Sequence, residues 1–464
     1  MREIIHVAFP TLILDKLSRL LDRRSEMSHQ QELVEAASCK LAASGTPHLV
    51  DYGRSQRRGR IASVSIPRRL DGFGFVPRLS TALEKSREIV RRYTLTNKHK
   101  AIVRLISWGA GIQSIKVPNQ DGNLTDVVLG FDDMDGYLKN RYMGSIIGRV
   151  ANCISGGPMH LDNVIYPLSI NDGAGKDCFN NDTVAFDNAN WQSQIVNNRV
   201  YCLFYIVDEV MSHLSRGNRR YPGDVLTQIK YTWTDDNQLH INIRATSTKS
   251  TPVNITNYCL FNLAGHGTGS KELKKHVLTV NANSWISMKV NNLPSIITYP
   301  VDGTVFELRL PTQLNQRRLF DVSGGGYNHN LCINSPSCWC YRFHARILHP
   351  TSGRFLEVYS NQPVLRVYTG NELPRQHVYP PDLKEGGDYK NVRLNALELA
   401  KKIAKEETTE IYGKGGIPYR CHDGFALSPQ NYFHTVDHFP FCCLHPGKVY
   451  VHDMTYKFGI LSEN

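Results

Sequence analysis

Residues 126–154 read DVVLGFDDMDGYLKNRYMGSIIGRVANCI. The opening DVVLGF is a short apolar run rich in Val. The Asp, Gly and Asn behind it are turn signals, so the run reads as a strand. Similar runs recur on both sides: IVRLISWG at 102–109, RVYCLFYIV at 199–207, LHINIRAT at 239–246, HVLTVNA at 276–282, LEVYSN at 356–361, VLRVYTG at 364–370 and KVYVHDMTYKFGI at 448–460. They tend to alternate and are rich in the Val, Ile, Tyr and Thr that pack well on a pleated surface. Many strands and few helices from residue 101 onward predict a mainly β fold, a large antiparallel β-sandwich.

Two parts of the chain depart from this texture. NVRLNALELAKKIAKEETTEI at 391–411 spaces Leu394, Leu397 and Ile403 along a charged background. It predicts a helix inserted between strands, the insertion spanning about residues 380–416. The first hundred residues differ more. TLILDKLSRLLDRR at 11–24 sets Leu14, Leu17 and Leu21 at helical spacing, and a second helix is expected over 30–43. RSQRRGRIASVSIPRRL at 54–70 reads as an exposed arm. The chain therefore divides into a basic, partly helical or disordered extension at 1–100 and the sandwich at 101–464.

The formal net charge is +12, and residues 1–100 hold 19 Lys and Arg against 10 Asp and Glu, so most of the surplus lies there. An acidic protein surface is the expected partner, the microtubule lattice being one assembly of that kind. No nucleic-acid-binding fold accompanies the basic arm, which sets nucleic acid aside. No run of about 18 apolar residues is present, so no membrane span is expected. The N-terminal residues make a poor secretory leader, which predicts a cytoplasmic protein, and the basic extension adds association with the cytoskeleton. The 11 cysteines contain no Cys-x-x-Cys pair. They read as reduced thiols, with no metal and no cofactor expected.

Several motifs in one order carry a resemblance. They are ISWGAGIQSIKVPNQDG at 106–122, the 126–154 stretch with its VLGF, GYL and GRVAN, YPGD at 221–224, TPVNITNYCLFNLAG at 251–265, GYNHNLCI at 326–333 and SGRFLEVYSNQPVLRVYTGN at 352–371. Together they resemble galactose mutarotases (aldose 1-epimerases) over residues 101–464. The resemblance implies a mutarotase-type sandwich and the interconversion of the α and β anomers of an aldose. That reaction needs a base to take the C1 hydroxyl proton and an acid to protonate the ring oxygen. In the family these are a glutamate and a histidine. A second histidine, an aspartate and an arginine bind the sugar.

At each of these positions the chain carries something else. Tyr258 stands where the resemblance places the acid, within Asn254–Leu263. A phenol with an ordinary pKa near 10 is a poor proton shuttle at neutral pH. Ser428 stands where the base belongs, within Gly424–Asn431. Asn328 replaces the sugar-binding aspartate, and Cys153 replaces the arginine, beside a retained Asn152. Asn180 falls near the second histidine position, ahead of Ala185, Phe186, Asp187 and Trp191. The expectation is a catalytically inactive relative serving as a binding or structural protein. An alternative is an active epimerase with a rearranged site, for which His266, His329, His422 and Asp423 lie near the motifs. Another is a non-catalytic monosaccharide-binding module using Asn152, Tyr258, Asn328 and Gln430.

Overall fold

The computed structural model describes residues 69–77, 87–151, 185–196, 199–206, 222–288, 294–335, 340–375, 410–432 and 443–461, with short pieces between 154 and 166 and at 434–435. The helices expected at 11–24 and 30–43, nearly all of the 54–70 arm and of the helix at 391–411, and the positions Asn152, Cys153 and Asn180 lie outside the described residues.

Strands β1 (Arg69–Pro77), β2 (Arg87–Thr96), β3 (Ile102–Ile106), β4 (Ile112–Pro118) and β5 (Leu124–Asp126) form a five-stranded antiparallel meander in that order. Downstream lie β6 (Gln192–Val196), β7 (Arg199–Ile206), β8 (Val225–Trp233), β9 (Gln238–Ser247), β10 (Val277–Val280), β11 (Ala282–Met288) and β12 (Pro294–Pro300). Then come β13 (Thr312–Gln313), β14 (Asn328–Ile333), β15 (Arg342–Leu348), β16 (Arg354–Ser360), β17 (Val364–Tyr368), β18 (Ala426–Gln430) and β19 (Tyr450–Ile460). A nine-stranded sheet runs β6-β7-β8-β9-β19-β16-β15-β10-β13, and a second five-stranded sheet runs β12-β11-β14-β17-β18.

Period-two patterning explains the layers. Along β8 every second residue, from Val225 to Trp233, is buried, and β16 repeats the pattern from Arg354 to Ser360. One apolar cluster collects the inward rows: Leu105 and Ile115 from the meander, Tyr231 and Val358 from the nine-stranded sheet, Leu331 and Leu427 from the third. The antiparallel β-sandwich read from the sequence is the architecture observed.

Three local readings change. The sandwich starts before residue 101, because β1 and β2 join its meander. Tyr93 and Leu95 point into the main core and Val90 into a second apolar cluster, while Arg91 is exposed and Arg92 partly so. Those outward arginines are what gave the stretch the look of a basic extension. DVVLGF is a ladder strand only to Asp126. Val127, Val128, Leu129 and Phe131 are all buried, because other segments cover both sides: Leu129 donates to the Leu260 carbonyl and Val127 to that of Ile115. The GYL turn belongs to a short helix, α1 (Met134–Lys139), whose Gly136 amide donates to Asp133 Oδ1 at 3.0 Å.

Gly144 ties this region to the segment that carries Tyr258. Its φ of +75° suits glycine, and a Cβ there would lie 2.2 Å from the Ile112 carbonyl oxygen. Its amide donates to the Tyr258 carbonyl, and its own carbonyl accepts from Ile112 and from Asn257 Nδ2.

Candidate functional site

The register of β14, β17 and β18 decides which side chains meet. Asn330 sits opposite Arg366, which sits opposite Ser428; Asn328 sits opposite Tyr368, which sits opposite Ala426. Side chains alternate between the faces of a strand. One face therefore carries Asn328, Asn330, Arg366, Tyr368, Ser428 and Gln430. The other sends His329, Leu331, Leu365, Val367 and Leu427 inward.

Tyr258 reaches the polar face from a neighbouring segment. Thr256–Asn257 pair with Ile146–Ile147, and this delivers the next residue to the site. The Tyr258 ring lies 5.8 Å from that of Tyr368, and the two phenols hydrogen-bond. Burial pushes the Tyr368 phenol up. Its hydroxyl also accepts from the Glu372 amide at 3.1 Å.

The structure thus brings together four of the seven positions taken from the sequence. Ser428 is buried, and its Oγ donates to the Asn257 carbonyl at 2.9 Å. Asn328 Oδ1 accepts from Arg366 Nε at 2.9 Å and from Nη2 at 2.6 Å, while its Nδ2 donates to Glu372 Oε1 at 2.8 Å. Gln430 is buried and donates to Asn330 Oδ1 at 2.7 Å. Each polar group is engaged by a protein partner.

The residues considered as substitute acids or bases are engaged elsewhere. His329 faces inward, against Phe306 with ring centroids 4.7 Å apart, and its Nδ1 accepts from the Asn328 amide. Burial first, and the Arg366 charge second, lower its imidazole to about 4. His422 Nδ1 contacts the Thr369 carbonyl at 2.7 Å. Asp423 accepts from the Arg420 amide at 2.8 Å, holding a turn. His266 Nδ1 meets the Tyr419 hydroxyl at 3.0 Å. The Phe186–Asp187 flank is likewise structural: Arg141 holds the buried Asp187 carboxylate through two bonds, and Trp191 Nε1 donates to the Phe186 carbonyl.

Sequence reading passed over Arg366, Tyr368 and Glu372, although the first two lie inside a motif it singled out. The available signal was Arg366 itself, a charge between Leu365 and Val367 in an apolar strand. Such a residue must sit on the face turned away from the core. Among the described residues no cluster of three or more His, Cys, Asp or Glu is arranged to hold a metal ion.

Comparison with known proteins agrees with this architecture. A profile of the aldose 1-epimerase family matches residues 91–457. The chain is 34% identical to galactose mutarotase of Bos taurus over 361 residues, covering 77% of this chain and 91% of that protein. It is 34% identical to the Homo sapiens galactose mutarotase over 362 residues, with the same coverage. Among solved structures, an aldose epimerase homologue from C. elegans superposes with a TM-score of 0.63 at 22% identity, covering 80% of this chain and all of that one. The galactose 1-epimerase of Lactobacillus acidophilus superposes at 0.60 and 19% identity, covering 86% of this chain and all of its own. These two likenesses speak to the fold, and the profile and the mammalian relatives speak to descent: the chain belongs to the aldose 1-epimerase family.

Proposed function

We propose that this chain is a non-catalytic member of its family, working as a binding or structural protein. The observation that carries the reading is the state of the polar face. Where the reaction needs an acid and a base, Tyr258 and Ser428 stand, and Ser428 has its proton on a backbone carbonyl. Neither changes charge near neutral pH. Loss of one proton handler costs roughly 10²- to 10⁴-fold in rate, so loss of both leaves little chemistry. Polarimetry of α-D-galactose with the purified chain is expected to follow the spontaneous mutarotation trace. Acceleration above that trace would sink the reading. One observation would then direct the search, namely that Glu372 is a carboxylate on this face, 2.8 Å from Asn328. An active rearranged site predicts that Glu372→Gln abolishes the acceleration.

Charge suggests the partner. The surplus of Lys and Arg in residues 1–100 favours an acidic assembly such as the microtubule lattice, and with it a cytoplasmic, cytoskeleton-associated setting. Because β1 and β2 belong to the meander, a truncation that tests this must stop at residue 68. Residues 1–68 hold 11 Lys and Arg against 7 Asp and Glu, so the full chain is expected to co-sediment with microtubules in low salt and the chain lacking 1–68 to pellet less. Equal pelleting of the two would remove the extension from the account.

A further inference from the structure

We propose that the polar face of β14, β17 and β18 binds a small anionic polyol, a sugar acid or a sugar phosphate, through Arg366. The inference rests on the non-catalytic reading and adds to it a class of ligand.

The first support is charge. The resemblance places carboxylates at positions 428 and 328, where this chain has a neutral hydroxyl and a neutral amide. Between them in the sheet stands a guanidinium, directly opposite both Ser428 and Asn330. A face read as acidic in the family is here built around a cation.

The second support is the way that cation is held. Nε and Nη2 of Arg366 both donate to Asn328 Oδ1, at 2.9 and 2.6 Å. The amide is oriented by its other end, which donates to Glu372. An asparagine turned this way fixes the guanidinium plane on the face without neutralising its charge. Planar guanidinium groups suit carboxylate and phosphate oxygens alike.

The third support is what surrounds it. Tyr258, partly exposed, lies on the same face, and a phenol both donates to and accepts from hydroxyls, while Asn330, Gln430 and Tyr368 are buried and bonded within the protein. Glu372 opposes anion binding, but it is exposed whereas Arg366 is half-buried. Solvent and salt screen the exposed charge more strongly.

Isothermal titration calorimetry of the full chain with D-galacturonate, D-galactose 6-phosphate and D-galactose tests this. At least one of the two anions is expected to bind about tenfold tighter than galactose, or ~1.4 kcal/mol. The better of the two identifies the anionic group. Arg366→Gln keeps a donor for Asn328 and is expected to erase the preference. Glu372→Gln is expected to enlarge it, which keeps the idea testable should the Arg366 variant misfold. Equal affinity for galactose and both anions, binding of none of them, or a preference that survives Arg366→Gln would overturn the proposal. The same anions in the polarimeter separate the two readings. Accelerated mutarotation would sink the non-catalytic reading and leave the site standing. Absent binding would remove the site and leave the non-catalytic reading untouched.

Discussion

Acidification from pH 7 to pH 4.5 is expected to lower the melting temperature steeply, with the loss beginning near pH 6.5. The cause is a set of histidines folded in the neutral form. His276 is fully buried; the Leu263 amide donates to its Nε2 at 3.0 Å, and its Nδ1 faces the Glu272 and Leu273 carbonyls. That network leaves no room for a second ring proton, since Nε2 already faces a donor. His452 is buried with Nδ1 on the Ile255 carbonyl at 2.8 Å. Burial lowers His276 to about 3 and His452 to about 4, as it does His329. The unfolded chain takes up these protons first, at the ordinary value of about 6.5. Their contribution is complete above that pH and is lost as pH falls toward 4. One such histidine is worth roughly 3 kcal/mol across that window. Thermal unfolding followed by circular dichroism at half-unit pH steps checks it. A melting temperature unchanged down to pH 5 would show that these rings titrate without unfolding the protein.

Removing Asp126 is expected to cost more than removing Lys414, although the two form one ion pair. Lys414 Nζ lies 2.8 Å from Asp126 Oδ2 and 2.8 Å from the Val128 carbonyl, with 7% and 11% of the two charged side chains exposed. Breaking a buried pair costs about 3–5 kcal/mol, because the remaining charge is left without its partner. The two survivors differ. Without Lys414, the carboxylate still accepts from Ser114 Oγ and from the Ile115 and Val128 amides. Without Asp126, the ammonium keeps the Val128 carbonyl, a neutral acceptor. Lys414→Met is therefore expected near the lower end of that range and Asp126→Ala near the upper end, measured by urea denaturation. The reverse order would mean that the carboxylate's other bonds contribute little. Lys414 lies near the end of the stretch read as an insertion, about 380–416, so this pair also fastens the insertion's return to the sandwich.

The fold was legible in the sequence because its evidence is local. Alternation along β8 and β16 needs only neighbouring residues, and the motifs from 106 to 371 fall in a recognisable order. What stayed hidden depends on distant pairing. That Arg366 meets both Asn330 and Ser428 is a matter of register between strands far apart in sequence, and no spacing announces it. Strand β2 escaped notice for another reason: Arg91 and Arg92 dominate its composition, while Val90, Tyr93 and Leu95 carry its structure. The candidate positions Tyr258, Ser428 and Asn328 were legible one by one. Their hydrogen-bond partners, which leave Ser428 donating to a carbonyl and Asn328 facing a guanidinium, were not.

The bond between Arg366 and Asn328 also decides what an acidic group placed on this face would do. An aspartate introduced at 328 alone would meet the guanidinium with two oxygens and be neutralised there, unavailable to any sugar. A glutamate introduced at 428 would enter the position directly opposite the same arginine. A carboxylate introduced at either position thus becomes a partner for Arg366 first. A single side chain on β17 thus governs the fate of any acidic group placed on the strand to either side of it.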